Sequence, residues 1–286
     1  MKFQIADLHN DAITELSSKK LKHYIIKAQN TGVETILISI WTTKMYDSLN
    51  EIAKCQRILA NMQTSVKLLL HVEDLWFVNE DNIDELLKYK PFSVGLTWNN
   101  KNSLAGGALA EETLTPLGKI LIKRLVKAGI HIDLAHLNKK SFWQVIALLQ
   151  KIDPHVRFLC THTCFEEITT HPRNLDTKQV QAIVNSGGLV GLTLVGEFLS
   201  KKKQVTFLDV YKHIKWFITY FGDKNLAIGS DFYGTKNLPK RLKNYGHFKH
   251  LRKFLLRKGL SSQTIDNIFY LNVQKYTSYH ILKYDV

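Results

Sequence analysis

At 286 residues the chain exceeds a minimal domain and falls short of two ordinary domains with linkers, which favours one large domain. Hydrophobic residues supply 45% and charged residues 22%, close to globular averages, so extended disorder is excluded. Lys and Arg number 39 against 25 Asp and Glu, and the resulting +14 raises nucleic acid, an anionic membrane or acidic substrates as partners.

Short apolar runs predict strands near 3–9, 35–41, 67–73, 92–97, 130–136, 157–162, 189–194 and 226–231. Segments of helical spacing lie between them: Leu117, Ile120, Leu121, Leu125 and Ala128 share one face, as do Phe142, Val145, Ile146 and Leu149. Eight strand-helix units in series predict an α/β fold, a (β/α)8 TIM barrel closed on itself, over an open sheet. No Gly/Ser linker or low-complexity stretch divides the chain, so residues 1–286 are read as one domain. The 55 residues after the last strand carry helical character near 248–258 and 262–282, predicting extra C-terminal helices.

The basic residues gather in Lys19-Lys20-Leu21-Lys22, in Lys201-Lys202-Lys203 and between Lys236 and Lys258. No stacking-aromatic module accompanies them, so a solvated exterior is preferred over a specific nucleic-acid site. Cys55, Cys160 and Cys164 form no Cys-x-x-Cys pair, and a disulfide framework is not expected. No leader follows Met1 and no run reaches the roughly 18 apolar residues of a membrane span, so a cytoplasmic location is expected.

Chemistry concentrates at the strand ends. The first strand ends Asp7-Leu8-His9-Asn10-Asp11, the third His71-Val72-Glu73, the fifth Asp133-Leu134-Ala135-His136, the sixth Cys160-Thr161-His162 and the eighth Gly229-Ser230-Asp231. In a parallel barrel these carboxyl ends converge on one rim. There His9, Asp11, Glu73, His136 and His162 make a nitrogen and oxygen ligand set suited to zinc or a similar divalent ion. Five ligands exceed one tetrahedral catalytic ion and suit two ions sharing a carboxylate. Strand alternation is read as setting His71 and Asp133 on the opposite side, which leaves them as structural residues or as supports of the ligands, and His155, His171 and His213 fall in loops or helices and are read as structural.

Taken in order, Asp7-Leu8-His9-Asn10-Asp11, Gly95-Leu96-Thr97-Trp98-Asn99, Gly129 to His136, Thr161-His162-Thr163, Pro172-Arg173-Asn174-Leu175, Gly187-Gly188 and Gly229-Ser230-Asp231-Phe232 resemble the signatures of the membrane (renal) dipeptidases, peptidase family M19. The resemblance covers nearly the whole chain and implies a binuclear zinc hydrolase of dipeptides, tolerant of a D-residue at the carboxyl end and often dimeric. By motif, His9 and Asp11 would bind one Zn2+, His136 and His162 the other, with Glu73 and a water or hydroxide bridging. Asp231 would handle protons, Arg173 would pair with the substrate carboxylate, and Trp98 and Asn174 would line the substrate site.

The chain also departs from the family pattern. Trp98 stands where many members carry His, Asp74 where Gly follows the bridging Glu, Tyr233 where Asp precedes Gly, and Phe269-Tyr270-Leu271-Asn272 replaces a Leu-Gly-Gly-Asn run. These changes leave open a metal-dependent hydrolase of another amide, a lactone or a phosphoester, and a catalytically silent metal-binding protein. The surplus of cations further predicts a positive barrel mouth favouring anionic peptides.

Overall fold

A computed structural model describes residues 3–42 and 48–284. Eight parallel strands close in sequence order: β1 Ile5–Asn10, β2 Val33–Trp41, β3 Lys67–Glu73, β4 Ser93–Gly95, β5 His131–Asp133, β6 Leu159–Thr163, β7 Leu189–Leu192 and β8 Leu226–Ile228. β8 returns to β1 through Asp7 and Ile228, so no sheet edge remains. All eight predicted strands are present, and the architecture is the expected (β/α)8 barrel.

Period-2 alternation divides each strand between two apolar layers. Ile36, Ile38 and Ile40 of β2 point outward with Val72, Val94, Ile132, Val190 and Ile228, meeting the surrounding helices in the larger core. Leu37 points inward with Ala6, Leu8, Phe92, Leu159, Leu189 and Ala227 and fills the lower lumen. The helices start where the sequence supplies acceptors: Thr115 caps Pro116–Lys127 and Asn138 caps Lys139–Ile152, each accepting from the third backbone N–H.

The C-terminal residues have a definite place. Val273 and Tyr276, on the helix Asn272–Tyr284, pack into the lumen cluster. Asn272 Nδ2 donates to the carbonyls of Asp223 and Leu226, and the Tyr276 hydroxyl to that of Arg157. All three carbonyls lie at the amino ends of strands, so this helix closes the end of the barrel opposite the chemistry. The departure from Leu-Gly-Gly-Asn falls in a π-helical turn, Asn267–Leu271, within the C-terminal helical run.

His213 is a structural histidine, as its helical position suggested. It is fully buried on Phe207–Phe221, its Nδ1 accepting from Phe165 N–H at 3.3 Å and its Nε2–H donating to the Leu199 carbonyl at 3.0 Å. Burial lowers its pKa to about 4. The unfolded chain therefore binds the extra proton first, and stability present above the ordinary imidazole pKa is lost as pH falls toward 4. Urea unfolding should show roughly 2 kcal/mol of acid loss between pH 7 and pH 4.5 attributable to this residue, absent in His213→Gln.

Candidate metal centre

β1 carries a register shift between Asp7 and Asn10. The shift lets Leu8 fill the lumen while the neighbouring His9 also turns inward, its ring 3.8 Å centroid to centroid from His162 and 5.4 Å from His71. Asp7 is buried on the outer side, accepting from Ser230 N–H at 2.7 Å, from the Ser230 hydroxyl at 2.5 Å and from the Tyr245 hydroxyl at 2.6 Å. It pins the first strand to the loop after the last.

Glu73 stands at the centre of the rim. Its Oε1 lies 2.7 Å from His136 Nε2 and 3.7 Å from His162 Nε2, and its Oε2 lies 3.8 Å from His9 Nε2. His9 Nε2 is 3.5 Å from Asp11 Oδ2. Among the described residues ligand atoms therefore converge in three groups, Glu73 with His136 and His162, His9 with Asp11 and Asp231, and His9 with Asp133 and His162, the last sharing a residue with each of the others. The five expected ligands and Asp231 come together, all buried or nearly so.

Two of them reach this point through backbone strain. His136 (φ 67°) and Asp231 (φ 60°) occupy the left-handed region, and so does Tyr233 (φ 75°), where non-glycine residues are uncommon. Gly234 is a steric necessity: a Cβ there would collide with Asp231 Oδ1 and Asp11 Oδ2.

The hydrogen bonds orient the rings for ligation. His136 Nδ1 pairs with Asn99 Oδ1 at 2.9 Å. The Thr161 hydroxyl donates to Asp133 Oδ2 at 2.5 Å and so accepts from the Nδ1–H groups of both His9, at 3.2 Å, and His162, at 2.9 Å. Each Nε2 is thereby left with a lone pair aimed at the centre. His136 Nε2 and His162 Nε2 face each other at 2.8 Å, and among the described residues His9 Nε2 and Asp11 Oδ2 have no hydrogen-bond partner. Opposed lone pairs and orphaned buried acceptors are costly without a cation between them, so the donor set fits bound divalent ions.

The electrostatics agree. Burial disfavours the His9 imidazolium, but Asp11, Glu73 and Asp231 outweigh it and raise the pKa to about 10. Burial lowers His136 to about 4, with Arg173 adding to the effect. Burial would raise Glu73, but His136 and His9 bring it down to about 2. Asp231 goes the other way, held well above the carboxylate range by burial and by Asp11 beside it. The metal-free site thus keeps charge of both signs.

The expectation that His71 and Asp133 lie on the far side of their strands is not met, whereas a supporting role beside the ligands fits both. His71 and Glu73 are two residues apart and both face the lumen, where His71 Nε2 lies 3.6 Å from Asp133 Oδ2 and Nδ1 pairs with Ser93 Oγ at 2.8 Å. Asp133 is equally interior, and His136 reaches the rim only because it lies beyond the strand in a left-handed turn. Asn174, expected to line the substrate site, directs its Nδ2 to the carbonyls of Thr169 and Phe198. It is absent from the cleft lining, whereas Asn99 is present. Asn99 and Thr161 are the functional residues that residue type alone did not mark. Thr161→Val should weaken divalent-metal binding roughly 10–100-fold by calorimetry, through loss of the hydroxyl that holds two ligands.

A cleft of about 440 Å³ opens over the ligands, lined by Trp41, Trp98, Leu109, Phe198, Tyr233 and Arg173 among others. Its lining includes five carboxylates, Asp11, Glu15, Glu73, Glu197 and Asp231, against the single guanidinium of Arg173. The +14 of the chain is therefore not concentrated in this cleft. Asp74 adopts φ 63°, which accounts for glycine as the usual residue there, and its carboxylate accepts from Asn102 Nδ2 at 2.8 Å and Trp76 N–H at 3.2 Å.

Comparison with known proteins bears on this geometry. Residues 41–279 match the family model of the membrane dipeptidases, peptidase family M19. A protein encoded in the pqqA 5′ region of Klebsiella pneumoniae, itself uncharacterized, is 29% identical over 192 residues, 63% of this chain and 69% of its own length. A second, from the PQQ-III 3′ region of Acinetobacter calcoaceticus, is 27% identical over 60% of this chain and 56% of its own length. Among solved structures, a metallo peptidase from Rhodobacter sphaeroides, bound to a phosphinate mimic of the dipeptide L-Ala-D-Ala, superposes with a TM-score of 0.80 at 18% identity over 95% of this chain and 97% of its own. The M19 metallo peptidase named dipeptidase AC does so at 0.84, also at 18% identity and over the same shares of the two chains. The chain belongs to peptidase family M19, the membrane dipeptidases.

Proposed function

We propose that this chain is a single-domain zinc dipeptidase that cleaves the peptide bond of L,L and L,D dipeptides. Family membership supports a metallo-dipeptidase, and the donor set supports two ions, one held by His9 and Asp11, the other by His136 and His162, with Glu73 between them. Such a pair, when bound, would acidify a water for attack near neutral pH and polarise the scissile carbonyl.

The observation that carries the substrate assignment is Arg173. It is 4% exposed and lines the cleft, its Nε has no partner among the described residues, and its NH2 lies 3.0 Å from His162 Nε2. Among the described residues no carboxylate forms an ion pair with it, and burial lowers its pKa. A buried guanidinium without a counter-ion calls for an anion, and the planar fork suits the free carboxylate of a dipeptide. The L-Ala-D-Ala mimic in the Rhodobacter protein supports a D-residue at that end.

Asp231 is placed to hold and return a proton next to the metal ligands, and its depressed acidity suits that work. The uncovered Trp98 and Tyr233 at the rim favour, as a second reading, another amide, a lactone or a phosphoester. Purified protein loaded with zinc and offered L,L and L,D dipeptides decides between them. Cleavage is expected, with Arg173→Ala lowering kcat/KM roughly 100-fold, chiefly through KM. Turnover indifferent to Arg173→Ala but abolished by His162→Ala would sink the dipeptide assignment. No helix among the described residues is long and apolar enough to cross a membrane.

A further inference from the structure

The barrel order fixes which way a substrate lies across the ligands. Arg173 follows β6, and Phe198, after β7, lies under its guanidinium at 5.6 Å from ring centroid to Cζ. Trp41 ends β2 and Trp98 follows β4, on the opposite side of the rim, with Glu73 of β3 between them in strand order. A dipeptide whose carboxylate meets Arg173 and whose scissile bond crosses the ligands must extend its amino-terminal residue toward the two tryptophans.

That side is apolar and uncovered. The Trp41 and Trp98 rings stand 5.6 Å apart at 45°, and Trp98 lies 6.0 Å from His136, roofing one edge of the ligand cluster. Trp98 is 39% and Leu109 63% exposed, and the Leu109 N–H donates to the Asn99 carbonyl at 2.8 Å, tying it to the Trp98 loop. Glu15, which no ligand role uses, projects into the same cleft from the segment after β1. Its neighbour Thr14 accepts from the Trp41 N–H at 3.2 Å, so carboxylate and indole sit on one frame.

Resting on the dipeptidase reading, we propose that Trp41, Trp98 and Leu109 form the subsite for the side chain of the amino-terminal residue, selecting a large apolar and above all aromatic group, while Glu15 takes the α-ammonium. Exposed indole surface gains most by covering a flat apolar partner, and an ammonium beside a carboxylate at the cleft edge completes a zwitterion whose other charge meets Arg173.

The test compares kcat/KM of the zinc-loaded protein across two series, X-Ala and Ala-X, with X as Gly, Ala, Leu, Phe and Trp. In the X-Ala series Phe and Trp should exceed Gly by roughly tenfold or more, with no comparable gradient in Ala-X. Trp98→Ala and Trp41→Leu should each flatten the gradient, and Glu15→Gln should raise KM for free dipeptides while leaving N-acetylated ones equally poor. A flat X-Ala series in the wild-type protein, a gradient confined to Ala-X, or a gradient that survives both tryptophan variants overturns the subsite. If Ala-Ala is cleaved and depends on Arg173 in those cases, the dipeptidase reading stands; if no dipeptide in either series is cleaved, it is that reading which fails.

Discussion

Glu73→Gln should lower kcat/KM on the order of 10⁴-fold and reduce bound zinc well below two equivalents. Glu73 reaches both halves of the ligand set, Oε1 toward His136 and His162 and Oε2 toward His9. A carboxamide keeps the shape but offers one neutral oxygen in place of two charged ones, so it cannot join two cations. Losing several kcal/mol of transition-state stabilisation at ~1.4 kcal/mol per tenfold gives that magnitude. Metal content by elemental analysis and turnover on a good dipeptide check it together. Near-normal activity with near-normal zinc would mean the two groups of ligands act independently of this carboxylate.

Asp231→Asn should retain zinc and lose roughly 10³-fold in kcat with little change in KM. The contrast with Glu73 comes from position: Asp231 sits beside Asp11 and His9 at the cleft, where burial and the Asp11 charge keep its carboxyl protonated well above the ordinary range in the metal-free protein. Asparagine preserves the size and the strained turn but can neither accept nor return a proton. The same reasoning predicts that metal uptake releases protons, because the imidazolium of His9 must also become a neutral ligand. Titration of zinc into weakly buffered protein should record that release. A variant that loses zinc instead of turnover would reassign Asp231 as a ligand.

Composition does not say where the charge of the chain lies. The +14 suggested a positive mouth, yet the cleft gathers five carboxylates around one guanidinium. Most Lys and Arg side chains cannot be buried cheaply, so a basic composition describes the exterior; a site that binds cations must be lined by acids whatever the total.

The barrel was readable along the chain because its signal is local. Apolar runs of strand length, separated by faces of helical spacing, recur eight times, and each was found close to its position. The ligands were readable for the same reason: His9, Glu73, His136, His162 and Asp231 lie at or just beyond strand ends, and a parallel barrel puts all such ends on one rim. Alternation puts His71 and Glu73, two residues apart in the regular strand β3, on one face, and it fails where the backbone leaves the ideal strand. The register shift in β1 turns both Leu8 and His9 inward, and the left-handed turn at His136 takes it off the parity of Asp133. Thr161 as the shared acceptor for two imidazoles, Asn99 as the partner of His136, Arg173 without a counter-ion and Trp41 facing Trp98 were decided only in three dimensions. Each depends on a contact between strands or loops distant in sequence, and hydrogen-bond partnership and charge compensation, unlike hydrophobic period, leave no trace in the spacing of neighbouring residues.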